Sequence, residues 1–348
     1  MTPSSFYVNF KLIMDAFDNI KFSFYGLGIE VTCASPETLR NIQRDYSFFL
    51  NNDIPPEIFF VVHNESPDYS QLPTVKASFY TPRNICYKKD GVSFIDYFGK
   101  GLMIIDKNIH TVYSSDPHLR HEIVFLSIMS LAGQYFDSKN MHRVHSLGIE
   151  INNKAALILL PSGGGKTSLF LELVKEGHIK LISEDSPLID PSGRVFPFPI
   201  RIGVTHENKP QGIPDKDLHL VYRMEFEPKY LIDVNFFKDK ITTQPLGIGY
   251  ILCGTRFLGN VSSIVPLSKY AAFKILIRDS VIGFGLYQGI EFLFQEGIWG
   301  LLKKSKVIFS RLNNAAKAVS KARTYSFVLG YDRSKNAETL LKFLHETI

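Results

Sequence analysis

Cysteine is scarce in this chain. Cys33, Cys86 and Cys253 are the three it has, odd in number and far apart. That excludes a disulfide framework and any C-x-x-C metal pattern, and it predicts buried free thiols in a reducing compartment. Long apolar runs are missing too. The most apolar uncharged stretch, Ile241 to Thr255, is interrupted by Gln244, Pro245, Gly247 and Gly249. It falls short of the ~18–20 apolar residues that a membrane span requires and reads as buried strand and turn. Met1 to Phe10 has no basic stretch leading into an apolar run with a small-residue cleavage site. Charge of one sign is lacking as well: 39 basic against 34 acidic residues leave a net +5, a mild excess that does not imply nucleic acid. The expectation is a cytoplasmic protein with no membrane span and no nucleic-acid partner.

What is present is an ordinary globular composition, 45% hydrophobic and 21% charged over 348 residues, a length that suggests about two domains. Aromatics are abundant, with 28 Phe and 16 Tyr against one Trp, a pattern suited to core filling. The first third reads as short strands rich in aromatic and β-branched residues: Phe22–Thr32, Glu57–His63, Lys76–Tyr80, Val92–Tyr97, Leu102–Ile105 and His110–Tyr113. Turn formers such as Asn51-Asn52-Asp53 and Lys89-Asp90-Gly91 separate them. Pro36-Glu37-Thr38 opens a short helix through Phe49. No chemical motif falls in this segment.

Ser115-Asp116-Pro117 then starts a long helix to about Phe136, with a capping side chain ahead of a first-turn proline. His118, His121 and His142 gather around it without ligand spacing and read as surface or interdomain histidines. From Val144 strands and helices alternate: strands Val144–Ile151 and Ala155–Leu160, helix Thr167–Lys175, strand Ile179–Ser183. Later strands are expected at Arg194–Phe196, Leu231–Val234 and Gly249–Cys253, and helices at Leu267–Arg278 and Ala337–His345. The fold class read from this order is α/β, with a β-rich α+β N-terminal domain over 1–140 and a second domain over 141–348.

The most informative segment runs from Ala155 through Leu160-Pro161-Ser162-Gly163-Gly164-Gly165-Lys166-Thr167-Ser168. An apolar strand, a glycine turn, Lys-Thr and a helix follow in the order a phosphate-binding loop requires. Glycines let backbone N–H groups converge on phosphate oxygens, and the helix N-terminus adds about half a positive charge. Lys166 would reach the β and γ phosphates and Thr167 would ligate Mg²⁺. One position departs from G-x-x-x-x-G-K-[ST]: Leu160 stands where the first glycine belongs. A plain glycine turn with a solvated lysine is the competing reading.

Phosphoryl transfer also needs a metal carboxylate and a group to orient or deprotonate the acceptor. Leu181-Ile182-Ser183-Glu184-Asp185-Ser186-Pro187 supplies an acidic pair one helix and one strand after Lys166. A right-handed crossover brings that strand end beside the loop. Neighbouring strand residues face opposite ways, so a kink before Pro187 is needed to turn both carboxylates inward. His145 lies upstream, on a strand expected beside the loop.

Together His145-Ser146-Leu147-Gly148-Ile149, Leu160-Pro161-Ser162-Gly163-Gly164-Gly165-Lys166-Thr167-Ser168 and Leu181-Ile182-Ser183-Glu184-Asp185 resemble the HPr kinase/phosphorylase-like serine kinases. Phe196-Pro197-Phe198-Pro199-Ile200-Arg201 looks like the Pro-Phe-Pro-Arg stretch of that family's divergent branch, which carries a β-rich N-terminal extension. The resemblance covers roughly residues 141 to 348 and is specific around 145 to 201. It implies a phosphate-loop kinase domain with a fold like that of phosphoenolpyruvate carboxykinase, using ATP and Mg²⁺. Ser162, Gly163, Gly164, Gly165, Lys166, Thr167 and Ser168 would bind the nucleotide, and Thr167 with Asp185 would hold the metal. Glu184 would be the acceptor's base, His145 would support the γ-phosphate side, and Arg201 and Arg256 would clamp phosphate charge. Glu184 stands where the family usually has Asp, and the Glu-x-Arg-Gly signature is absent, so HPr itself is not the expected substrate. The implied activity is phosphorylation of a hydroxyl on a peptide, protein or small metabolite, with self-association left open. A nucleotide-binding regulator with lost chemistry and a mechanochemical NTPase are the alternatives.

Overall fold

The computed structural model describes residues 17–161, 163–205, 207, 209–210, 212–222, 227–280 and 297–347. The chain is mixed α/β and divides into two compact units, residues 1–132 with 205–235, and residues 133–204 with 236–348. Segment 205–235, which the sequence boundary at 140/141 assigns to the C-terminal domain, is thus grouped with the N-terminal strands.

The N-terminal unit holds an eight-stranded mixed sheet. Its strands are β1 (Asp18–Phe24), β2 (Leu27–Cys33), β3 (Ile58–His63), β4 (Ala77–Tyr80), β5 (Ile85–Lys89), β6 (Val92–Asp96), β7 (Leu102–Asp106) and β8 (Ile109–Tyr113), in the order β1-β2-β3-β8-β7-β6-β5-β4. Helix α1 (Pro36–Asp45), capped by Ser35, makes the crossover between parallel β2 and β3. The expected single strand Phe22–Thr32 is instead the β1–β2 hairpin, because Tyr25 and Gly26 both take positive φ at its tip. Tyrosine in that conformation gave no turn signal. The aromatic surplus fills this unit's core: Tyr46 stacks on Phe22 at 5.0 Å and on Phe125 at 5.7 Å, and Phe24 meets Phe49 edge-on at 4.8 Å. Such pairs contribute about 0.5–1.5 kcal/mol each beyond area burial. Strands β16 (Leu218–Val221) and β17 (Lys229–Ile232) form an antiparallel pair.

Helix α2 (Pro117–Ser138) starts as its sequence requires, with Asp116 Oδ1 accepting from the backbone N–H groups of His118 at 2.8 Å and Leu119 at 3.2 Å. Two of the three histidines near it are not at the surface. His121 is buried with Nε2 2.7 Å from Asp45. His142 is buried between Asp137 and Ser310, each at 2.8 Å. Burial raises the Asp137 carboxyl pKa, but the His142 hydrogen bond and the Arg311 charge outweigh it and hold the group below the usual range. His118 is exposed, edge-on to Tyr222 at 4.9 Å. Among the described residues no group of His, Cys, Asp and Glu forms a metal cluster.

The C-terminal unit is built on a second mixed sheet. Its members are β9 (His142–Arg143), β10 (Leu147–Ile151), β11 (Lys154–Leu159), β12 (Lys180–Ser183), β13 (Leu188–Ile189), β14 (Arg194–Phe196), β18 (Leu246–Arg256), β19 (Ser263–Pro266) and β20 (Arg323–Leu329), while β15 (Ile202–Thr205) follows β14 in the chain. The order is β12-β10-β11-β18-β14-β13-β9, with β20 joining β18 to β19. Helices α3 (Lys166–Leu173), α4 (Lys269–Ser280), α5 (Gly297–Lys321) and α6 (Arg333–Thr347) belong to the same unit. Leu157, Leu159, Ile251 and Cys253 pack with Ala272 and Leu276 of α4 and with Ala315, Ala318 and Val319 of α5. Tyr325 meets Phe343 of α6 at 4.6 Å. The apolar stretch Ile241–Thr255 is turn followed by strand β18, buried from Ile248 to Cys253, and among the described residues no helix is long and apolar enough to cross a membrane. All three cysteines are buried free thiols.

Candidate active site

Strands β11, β12, β18 and β20 of the C-terminal sheet run in one direction. β11 pairs in parallel with β18, and β18 with β20. β12 and β11 are both antiparallel to β10, which gives β12 the same sense. Their carboxyl ends lie along one edge, the place where open α/β sheets present functional groups. Glu184-Asp185 follow β12, the glycine loop follows β11, Arg256 ends β18, and Gly330-Tyr331 follow β20.

The loop accepts only glycine at two points. Gly165 takes φ +95° as the residue that caps α3, and a Cβ there would lie 2.5 Å from Arg256 Nη2. A Cβ at Gly164 would lie 2.8 Å from the Pro161 carbonyl oxygen. Ser162 falls outside the described residues, and Ser168 is half-buried in the first turn of α3. Leu160 does not enter the loop. Its side chain is buried at the sheet, where Gly254 leaves room for it: a Cβ on Gly254 would come within 2.3 Å of Leu160 Cδ2. Its carbonyl accepts from Lys166 Nζ at 3.0 Å.

Lys166 is only 6% exposed, an expensive position for an ammonium unless it is well partnered. Nζ lies 2.8 Å from His145 Nε2 and 3.7 Å from Asp185 Oδ1. An ammonium can only donate, so His145 Nε2 supplies the lone pair, and the neutral ring carries its proton on Nδ1. That nitrogen is 3.2 Å from Asp185 Oδ1. Lysine, histidine and aspartate are thus drawn together, with Asp185 on the solvent side, its side chain 39% exposed.

Thr167 points to the other acid. Its hydroxyl donates to Glu184 Oε1 and lies 3.5 Å from the Gly203 carbonyl. The expected metal pair joined Thr167 to Asp185; the hydrogen bond instead joins Thr167 to Glu184. Both acids reach the loop because β12 ends at Ser183, so strand alternation no longer governs them. The bend is fixed by Ser183, whose Oγ donates to the Phe198 carbonyl at 2.8 Å and accepts from the Ser186 N–H at 3.1 Å. The Asp185 carbonyl accepts from Ser146 N–H at 3.2 Å, and the Pro187 carbonyl from Val144 N–H at 2.9 Å. Arg201 is half-buried two residues before Gly203. Arg256 holds backbone: Nε donates to the Gly164 carbonyl at 3.0 Å and Nη1 to the Gly330 carbonyl at 2.6 Å. The positioning roles of Ser183, Gly254 and Gly330 were not read from the sequence, since a buried hydroxyl and a space-making glycine resemble any others there.

No protein-family model and no curated protein sequence matches the chain.

Proposed function

We propose that this protein is an ATP- and Mg²⁺-dependent kinase acting on a hydroxyl acceptor, a serine of a peptide or protein or a small hydroxylated metabolite. Its C-terminal domain would be a phosphate-loop kinase domain similar to that of the HPr kinase/phosphorylase-like enzymes. The observation that carries this reading is the buried Lys166 beside three consecutive glycines, in contact with His145 and within 3.7 Å of Asp185, while Thr167 engages Glu184. A solvated lysine at a plain turn needs none of these partners.

The residues fit both the nucleotide and the metal. Glycine at 164 and 165 keeps Cβ atoms out of the loop, which leaves backbone N–H groups at the start of α3 free of side-chain bulk. Thr167 and Glu184 are hard oxygen donors of the kind Mg²⁺ takes, and these two would hold it. Bound there, Mg²⁺ would offset negative charge on the transferring phosphoryl group. Lys166 binds the β and γ phosphates. Asp185 takes the acceptor's proton, with His145 and Lys166 fixing the orientation of its carboxylate. The acceptor oxygen bonds to the γ-phosphorus as the bond from that phosphorus to the bridging oxygen of ADP breaks, and ADP leaves.

The test is thermal unfolding with Mg²⁺ and ATP. At about 100 times its Kd a ligand stabilises the native state by roughly 2.7 kcal/mol. Wild type is expected to show that shift and Lys166→Ala to lose it while remaining folded. Equal shifts, or none in wild type, remove the phosphate-loop reading.

A further inference from the structure

Beside the glycine loop, away from the acids, the strand-end edge carries large apolar side chains in water. Phe257 is 56% and Tyr331 81% exposed, and Leu258 is fully so. Isolated exposed apolar residues need no explanation, but a group of them on a rigid frame marks a binding surface. Here the frame is tightly held. Phe257 N–H donates to the Leu329 carbonyl at 2.9 Å and Tyr331 N–H to the Gly259 carbonyl at 2.7 Å. Asn336, itself buried, grips Gly330 from both sides, accepting from its N–H at 2.9 Å and donating to its carbonyl at 3.0 Å. Arg256 ties this frame to the glycine loop through the Gly330 and Gly164 carbonyls.

Strand order says which end of a nucleotide belongs here. Across the edge the sequence is β12, β10, β11, β18, β20, so the acids stand on one flank of the loop and the aromatic rim on the other. The acids act on the γ-phosphate, and the nucleoside hangs from the opposite end of the triphosphate. We infer that Phe257 and Tyr331, with Leu258 beside them, form the platform for the base of the nucleoside triphosphate. This rests on the phosphate-loop reading above. Aromatic rings presented on a hydrogen-bonded backbone frame are suited to stacking on a base.

The experiment is calorimetric titration of ATP and of inorganic tripolyphosphate, each with Mg²⁺, into wild type, Phe257→Ser, Tyr331→Ser and the double variant. Wild type is expected to bind ATP at least about ten-fold more tightly than tripolyphosphate. The double variant is expected to lose about ten-fold or more in ATP affinity while its tripolyphosphate affinity stays within about two-fold, which also shows that the variant is folded. ATP affinity unchanged in the double variant overturns the platform and leaves the phosphate loop standing. Loss of both ligands in parallel also overturns it, because the side chains would then be supporting the loop. Binding of neither ligand by wild type defeats the phosphate-loop reading, and the platform with it.

Discussion

Thr167 separates the two carboxylates that follow β12. A hydroxyl that already donates to Glu184 sets up a pair of hard oxygens, whereas Asp185 faces the cationic and imidazole groups of Lys166 and His145. The expected consequence is a division of labour opposite to the one that the family resemblance implies. Glu184→Gln should weaken Mg²⁺-dependent binding of a non-hydrolysable ATP analogue. Asp185→Asn should spare that binding and lower turnover by about 10² to 10⁴, the usual cost of removing a general base. Titration calorimetry of the two variants, paired with single-turnover transfer from labelled ATP, separates these roles. Metal-dependent binding lost in Asp185→Asn but kept in Glu184→Gln restores the assignment made from the motif. The longer glutamate is accommodated because the bend after Ser183 sets where each carboxylate begins, and that bend depends on Phe198 and Ser146, far away in sequence.

At the scale of the element, the unit that matters is β11, its loop and α3. The loop lacks the first glycine of the common pattern, yet Leu160 belongs to the sheet core and Gly254 on β18 makes the space for it. The glycine that would have stood in the loop strand has its steric counterpart on the neighbouring strand. Leu160→Gly, which would complete the consensus, is therefore expected to damage the protein. Deleting a buried leucine side chain costs about 2–5 kcal/mol, and glycine adds backbone entropy to that loss. Urea denaturation should show a midpoint well below wild type, with no gain in nucleotide affinity. An unchanged midpoint would mean that Leu160 is not part of the core.

For the whole molecule, acid sensitivity is expected to originate in the N-terminal unit. His110 is buried and stacked on Phe60 at 4.7 Å, and burial lowers its pKa to about 4. Burial likewise lowers His63 and His219. An unfolded chain binds a proton at such a site near pH 6.5, while the folded one resists until about pH 4. Unfolding thus takes up protons in that window, so stability falls as pH drops through it and is flat above it. The His110 share is at most about 3 kcal/mol, at 1.36 kcal/mol per pH unit. Urea midpoints measured from pH 7.5 to 4 should decline, and His110→Phe should decline less steeply. Parallel curves for the two proteins would clear His110 of any part in it.

Local chemistry was enough to determine much of this protein. The start of α2 follows from Asp116-Pro117, and that of α1 from Pro36-Glu37-Thr38. The glycine loop between β11 and α3, and the turn-and-strand character of Ile241–Thr255, also follow from neighbouring residues alone, because caps, turns and apolar runs act over a few positions. Glu184-Asp185 and the glycine loop are legible for the same reason, since each follows a strand that its own sequence specifies, whereas β20 and the Gly330 turn after it gave no such signal. Other features required tertiary structure. The β1–β2 turn places a tyrosine at positive φ, which flanking strand pairing enforces against local preference. His121 and His142 are buried where Asp45 and Asp137 meet them, partners that spacing cannot reveal. Which carboxylate meets Thr167, why Leu160 replaces a glycine, and what Arg256 holds all depend on residues from β12, β18 and the turn after β20. Those contacts exist only once parallel strands far apart in the chain have paired.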